Sequence, residues 1–92
     1  MQFTIINAKM AYTKEDGYVG AVAFCVEGLR QPYELTLQSK RRQDWSYSLH
    51  FQNESGSEEE IVQVEEWLEE DDEAFDQMIE EAEKTLDAQS GN

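Results

Sequence analysis

The chain has 92 residues, of which 21 are acidic and 7 are basic, and its formal net charge is -14. This length predicts one small domain and excludes two. The lone Cys25 excludes an intramolecular disulfide, and the apolar segments are too short for a signal peptide or a spanning helix, so we expect a soluble cytoplasmic protein. Because the negative charge repels phosphate, direct binding to nucleic acid or to an anionic membrane is disfavoured, and a basic protein partner is favoured instead.

Residues 2–52 alternate in polarity with period two, which is typical of strands. The clearest case places Trp45, Tyr47, Leu49 and Phe51 on one face. The pattern predicts strands over residues 3–12, 18–26, 33–38 and 45–52, and the Asp16-Gly17 pair favours a hairpin between the first two. We therefore predict an antiparallel meander in the order 1-2-3-4.

The second predicted strand is apolar on both faces, which is typical of a strand covered on both sides. Its large side chains suit the main core, and its small ones form the opposite face.

In the first strand, alternation places Phe3 and Ile5 on one side and Ile6 with Ala8, Met10 and Tyr12 on the other. If helices cover the aromatic face, an apolar face without cover remains, which suggests a homodimer interface formed by Ile6, Ala8, Val19, Ala21, Ala23 and Cys25. The alternative is that one helix covers each face.

After residue 56 the period becomes helical. Ser57 and Glu60 form a capping-box pattern that predicts a helix start. Apolar stripes then follow, but a single rod would place Asp71 in the buried seam, whereas Asp71 or Asp72 as an N-cap stabilises a helix by about 1 kcal/mol. We therefore predict two helices, over residues 58–70 and 72–87, packed on one face of the sheet, in preference to one long helix. Residues 88–92 are expected to be loose.

The predicted fold class is α+β, with a sheet over residues 1–52 and an acidic helical segment over 57–88.

The sequence gives little support for catalysis or for metal binding. The only histidine, His50, lies on a polar strand face with Ser46 and Ser48, and Cys25 is predicted to be a packed, inert thiol. Calcium loops and transition-metal sites require spacings of ligands that are not present. We expect no enzyme, no cofactor and no metal.

The loop Lys40-Arg41-Arg42 has two interpretations. It is either a solvated loop or a basic patch that forms ion pairs with the acidic helices, each exposed pair contributing about 0–1 kcal/mol.

The negative charge is concentrated in one segment. Residues 1–52 carry a net charge of +1, and residues 53–92 carry -15. Many of these acids lie four residues apart and oppose helix formation by about 1–2 kcal/mol in total. A surface that needs only solubility could avoid this cost, which favours a partner-binding surface formed by Glu58, Glu59, Glu65, Glu66, Glu69, Glu70, Asp72, Glu73, Asp76 and Glu80.

The function predicted from these patterns is a non-enzymatic interaction protein. It would act by self-association through the apolar sheet face, by binding a basic partner through the acidic helices, or both. The alternative hypothesis is a nucleic-acid mimic that inhibits a DNA- or RNA-binding protein. A helical segment with one acid per roughly 3 Å has the charge density of a nucleic-acid single strand.

Overall fold

The computed structural model describes residues 2–29, 31–52 and 56–90, with side chains as far as Leu86 in the last range. It has four strands, β1 (Phe3–Thr13), β2 (Gly17–Val26), β3 (Tyr33–Ser39) and β4 (Ser46–Phe51), followed by two helices, α1 (Glu58–Glu70) and α2 (Asp72–Ser90). The predicted α+β class is confirmed.

The strands form one antiparallel sheet in the order β1-β2-β3-β4, as predicted. Gly17 begins β2 with a φ of 78°, which lies in the left-handed region that favours glycine. A Cβ at this position would also come within 2.6 Å of the backbone oxygen of Ser39. Backbone conformation and close strand packing therefore both require glycine in the β1–β2 hairpin.

The hydrophobic core lies between one face of the sheet and both helices. We call this the inner face of the sheet, and its fully buried members include Met10, Val22, Phe24, Tyr33, Leu35 and Leu37. The helices contribute the stripes that their periodicity predicted, including Val64, Trp67, Leu68, Met78, Ile79 and Ala82. Helices packed on one face are therefore confirmed, and the alternative of one helix on each face is wrong.

A β-bulge in β1 corrects the predicted faces of the first strand. The register with β2 shifts between Ile5 and Asn7, so that Ile6 is an additional residue in β1. Beyond the bulge the alternation is reversed, and Ala8 and Met10 face the core together with Ile5. Ala8 therefore does not belong to the predicted dimer face, whereas Ile6 is 54% exposed.

The predicted helix break at Asp71 is confirmed, and two hydrogen bonds explain it. The backbone N–H of Ala74 donates to Asp71 Oδ1 (3.1 Å), and the Trp67 indole donates to Asp71 Oδ2 (3.2 Å). One carboxylate therefore caps α2 and holds the last turn of α1. At the start of α1, the N–H of Glu60 donates to Ser57 Oγ (3.3 Å), as the capping box predicted.

The C-terminus of α2 differs from its predicted end. The helix extends to Ser90, three residues beyond residue 87, so that residues 88–90 belong to the helix and are not a loose tail. Residues 91 and 92, also predicted to be loose, lie outside the described residues.

Candidate protein-binding surfaces

The outward sides of the two helices are acidic. All ten carboxylate residues predicted to bind a partner are exposed: Glu58, Glu59, Glu65, Glu66, Glu69, Glu70, Asp72, Glu73, Asp76 and Glu80. Their orientation follows from the helical period, because Val64, Trp67 and Leu68 point into the core and the intervening glutamates point away from it. We call this set the acidic surface.

Few cations oppose this charge. Lys84, the one basic residue of the helices, is paired with Glu81 of α2 (2.8 Å). Arg42 reaches from the β3–β4 loop to Glu83 (2.7 Å). Neither cation contacts any of the ten residues of the acidic surface through an ion pair, so that this surface retains its negative charge across the described residues.

Arg42 connects the sheet to α2. Its backbone is in the left-handed region, with a φ of 62°, and its guanidinium lies 5.4 Å from the centre of the Tyr18 ring. The hydrogen bond to Glu83 raises the pKa of Arg42. The basic loop therefore forms an ion pair with the helices through Arg42, which confirms that interpretation for this residue. Lys40 does not follow it, because its Nζ donates to the backbone oxygen of Glu15 (2.8 Å).

The opposite side of the sheet, which we call the outer face, is less apolar than predicted. Val19 is 44% exposed, Cys25 is exposed, and Ala21 is half-buried. Their neighbours on adjacent strands are mostly polar, as in the cross-strand rows Lys9–Ala21–Thr36–Ser48 and Asn7–Ala23–Glu34–His50. The apolar residues of this face therefore lie on β2 and at Ile6 and Ala11 of β1.

Within the described residues of this chain, β2 is covered on its inner face alone, so that cover on its outer face would have to come from a second chain. Both helices pack on the inner face, and no described element packs on the outer face. Ala23 is nevertheless only 5% exposed, because it is a small residue between Asn7 and Glu34. Small apolar residues are therefore compatible with a sheet face that no element of the same chain covers, when they lie between larger polar neighbours.

The residues considered for catalysis are not brought together. Cys25 is exposed, which corrects its prediction as a packed thiol, and His50 is exposed as predicted. They lie on β2 and β4, separated by β3, and two strand spacings amount to about 10 Å. A thiol–imidazole pair requires hydrogen-bond reach, so these two groups do not form one. The described residues also contain no group of three or more His, Cys, Asp or Glu arranged to hold a metal ion.

A groove that the sequence did not predict follows the edge of β4. It has a volume of about 540 Å³ and is lined by Tyr47, Ser48, Leu49 and His50 of β4 and by Glu65 and Glu69 of α1. We call it the edge groove.

Tyr47 connects the two walls of the edge groove. Its hydroxyl donates to Glu69 Oε1 (3.3 Å), and burial together with the nearby carboxylates of Glu69 and Glu65 raises the pKa of Tyr47. The sequence contains one hint of this groove, a final strand without charged residues next to a strongly acidic helix. The proximity of β4 and α1 depends on tertiary packing.

Two results bear on the class of the protein. Neither helix of the described residues has the length and apolar character needed to cross a membrane. No protein-family model, no curated protein and no solved structure matches this chain.

Proposed function

We propose that the protein is a non-enzymatic binding protein whose acidic surface recognises a basic protein partner. One observation carries the proposal: the ten carboxylate residues of the acidic surface are all exposed, and neither ion pair of the described residues involves any of them. A protein that needed only solubility could have intermixed lysines on the same helix faces and avoided repulsion between its own charges.

Electrostatics defines how such a surface would act. Each exposed ion pair with a partner contributes about 0–1 kcal/mol, so that affinity depends on many weak contacts. The summed field of the surface accelerates encounter with a basic protein, and salt reduces both effects. Binding through this surface is therefore expected to weaken steeply as ionic strength rises.

A pair of charge-neutralised variants tests the proposal. The first changes Glu65, Glu69, Glu73 and Asp76 to their amides. The control changes Glu15, Asp16, Glu27 and Asp44, which are exposed acids of the sheet half. Both variants are four charges less negative than the wild-type chain. The measurement is capture of basic proteins from an extract of the source cell at low salt, followed by elution with a salt gradient.

We expect the wild-type protein and the control to retain a basic protein that elutes as salt rises, and the helix variant to lose it. Equal retention by both variants would mean that overall charge, and not the acidic surface, is responsible. Failure of the wild-type protein to retain any basic protein at low salt would contradict the proposal.

Nucleic-acid mimicry is a narrower form of the same hypothesis. It is supported by the exposure of consecutive acid pairs along α1, such as Glu65 with Glu66 and Glu69 with Glu70. If the partner is a nucleic-acid-binding protein, duplex DNA should compete for the captured protein. Capture that is insensitive to DNA would exclude mimicry and leave the binding of a basic partner intact.

Self-association through the outer face is a second candidate, and exposed Ile6, Val19 and Cys25 support it. Apolar contact is nearly independent of salt, unlike contact through the acidic surface. Light scattering coupled to size-exclusion chromatography should then give twice the monomer mass of 10.7 kDa at both low and high salt. A monomer at micromolar concentration would exclude this candidate.

A further inference from the structure

The two edges of the sheet differ in their backbone hydrogen bonding. At the β1 edge, the N–H of Met10 donates to Thr85 Oγ1 of α2 (2.9 Å). The bulge at Ile6 also interrupts this edge, and α2 lies mainly over β1. Bulges and covering helices are common means of preventing a sheet edge from pairing with another strand. The β1 edge is therefore partly blocked, at Met10 and at the bulge.

The β4 edge is open. The N–H of Gln52 donates to the Pro32 oxygen, and the register of β4 with β3 is regular. Because antiparallel partners alternate between bonded and non-bonded pairs, Ser48 and His50 bond to β3, whereas the N–H and C=O groups of Tyr47, Leu49 and Phe51 point away from the sheet. None of the hydrogen bonds between described residues outside the regular ladders involves these outward groups.

The edge groove lies along this open edge and has an acidic wall. Its lining combines four consecutive residues of β4 with Glu65 and Glu69 of α1. The two glutamates are four residues apart, a rise of about 6 Å along the helix. Alternate residues of a strand are about 6.8 Å apart. Two cationic side chains at alternate positions of an added strand therefore have nearly the spacing of the two carboxylates.

We propose that the β4 edge accepts an extended segment of a basic protein as a fifth strand, with lysine or arginine at alternate positions facing Glu65 and Glu69. This inference rests on the proposed function and specifies its partner: an unstructured or edge segment with alternating cations. Backbone hydrogen bonds to Tyr47, Leu49 and Phe51 supply the affinity, and the carboxylates of α1 select the charge of the segment.

Charge decides between a basic segment and a second copy of this chain. Pairing of two β4 edges would bring two sets of Glu65 and Glu69, each on a helical segment of the same strong negative charge, next to each other. Like charges placed close together in this way are destabilising. A cationic segment instead neutralises the acidic wall. The same carboxylates therefore repel self-pairing and attract a basic strand.

Two peptides of identical composition test the proposal. The first is a capped seven-residue peptide in which threonine and lysine alternate, with lysine at the second, fourth and sixth positions. The second contains the same residues with the three lysines in one block. The measurement is the affinity of each peptide for the full chain at low salt, together with amide hydrogen exchange by NMR.

The matched variants are E65Q/E69Q, which changes the groove wall, and the control E15Q/E27Q. The control also removes two exposed negative charges, but its residues belong neither to the groove nor to the acidic surface. Glutamine in place of Glu69 can still accept the hydrogen bond of Tyr47, so that the packing of β4 against α1 is retained.

We expect the alternating peptide to bind more tightly than the block peptide and to slow exchange selectively at the amides of Tyr47, Leu49 and Phe51. E65Q/E69Q should weaken this binding about tenfold, as expected for two ion pairs of up to about 1 kcal/mol each, whereas E15Q/E27Q should change it by less than about threefold.

Other results would overturn the inference. If both peptides bind equally, both double variants weaken them equally and the three strand amides remain unprotected, binding is electrostatic and does not involve strand addition. Capture of a basic protein from the cell extract would then test the proposed function on its own. If the alternating peptide does not bind at low salt, the inference fails, and capture of a basic protein by the acidic surface decides the proposed function separately.

Discussion

The inner and outer faces of the sheet are formed by the same strands, but both helices pack on the inner face and neither packs on the outer face. On β2, Val22 and Phe24 of the inner face are completely buried, whereas Val19 and Cys25 of the outer face are exposed. Both sets are apolar. Val19 and Val22 are the same residue type, so the apolar character of a β2 residue does not by itself determine whether the helices cover it.

Neighbouring strands reinforce this difference. On the inner face, Phe24 lies beside Tyr33, with ring centres 5.9 Å apart, and Tyr33 lies beside Phe51 at 5.8 Å. On the outer face, other cross-strand rows place alanines of β2 between polar residues, as Ala21 lies between Lys9 and Thr36. Large aromatic groups bury more area and contribute more to the core.

The largest test of this comparison is a truncation on the inner face. Phe24→Ala should lower the free energy of unfolding by about 3–5 kcal/mol, because it removes a buried ring and leaves a cavity. Val19→Thr, on the outer face of the same strand, should change it by less than about 0.5 kcal/mol. Urea denaturation measures both. Comparable losses for the two variants would show that the outer face is also buried, for example in a dimer.

The packing of the helices on the inner face also depends on the break at Asp71 between α1 and α2. Asp71→Ala removes the acceptor for the Ala74 N–H and for the Trp67 indole, and should cost about 0.5–2 kcal/mol. Asp71→Asn retains an oxygen that can cap α2 and should cost less. Thermal and urea unfolding measure both variants. An alanine variant as stable as the wild-type protein would mean that the break does not depend on these two bonds.

Alkaline pH should lower the stability of the fold through ionisation of Tyr33 and Tyr47, which lie on the inner face. Burial raises the pKa of both tyrosines above the ordinary value, with smaller contributions from Glu60 for Tyr33 and Glu69 for Tyr47. Because the folded state favours the neutral phenol, this contribution to stability is complete below about pH 10 and is lost as pH rises through the folded pKa. Tyr33→Phe and Tyr47→Phe should each make the loss of stability above pH 10 shallower. An unchanged slope in both would contradict the assignment.

The smallest effect is expected at Cys25 on the outer face. Its thiol is exposed, so iodoacetamide should modify it in the folded protein at a rate close to that in urea. The modified protein should unfold with a free energy within about 0.5 kcal/mol of the unmodified one. Strong protection of the thiol that disappears on dilution would indicate a dimer interface over Cys25.

Much of this fold follows from local patterns in the sequence. Strands of period two, the Asp16-Gly17 hairpin and the Ser57 cap each depend on nearby residues, and all three are present in the structure. The break at Asp71 was also predictable, because a carboxylate in the seam between helices and sheet would be buried without a partner, whereas an N-cap position satisfies it.

What could not be predicted depends on contacts between distant segments. The sequence Ile5-Ile6 offers two apolar residues for one inward position, and local alternation cannot decide which is the bulge. The open β4 edge and the edge groove result from where α1 lies against the sheet. The exposure of the ten carboxylate residues was predictable from the helical stripe, but the sequence alone did not indicate that Glu65 and Glu69 would line an open strand edge.

The bulge at Ile6 has a consequence for how β1 could change in length. Without Ile6, the residues Phe3, Ile5, Ala8 and Met10 would alternate regularly and would all still face the core. Deletion of Ile6 is therefore a change that the rest of the strand can absorb, whereas deletion of Lys9 would turn Ala8 or Met10 outward. The position of Ile6 is thus expected to tolerate a deletion that a neighbouring position such as Lys9 would not.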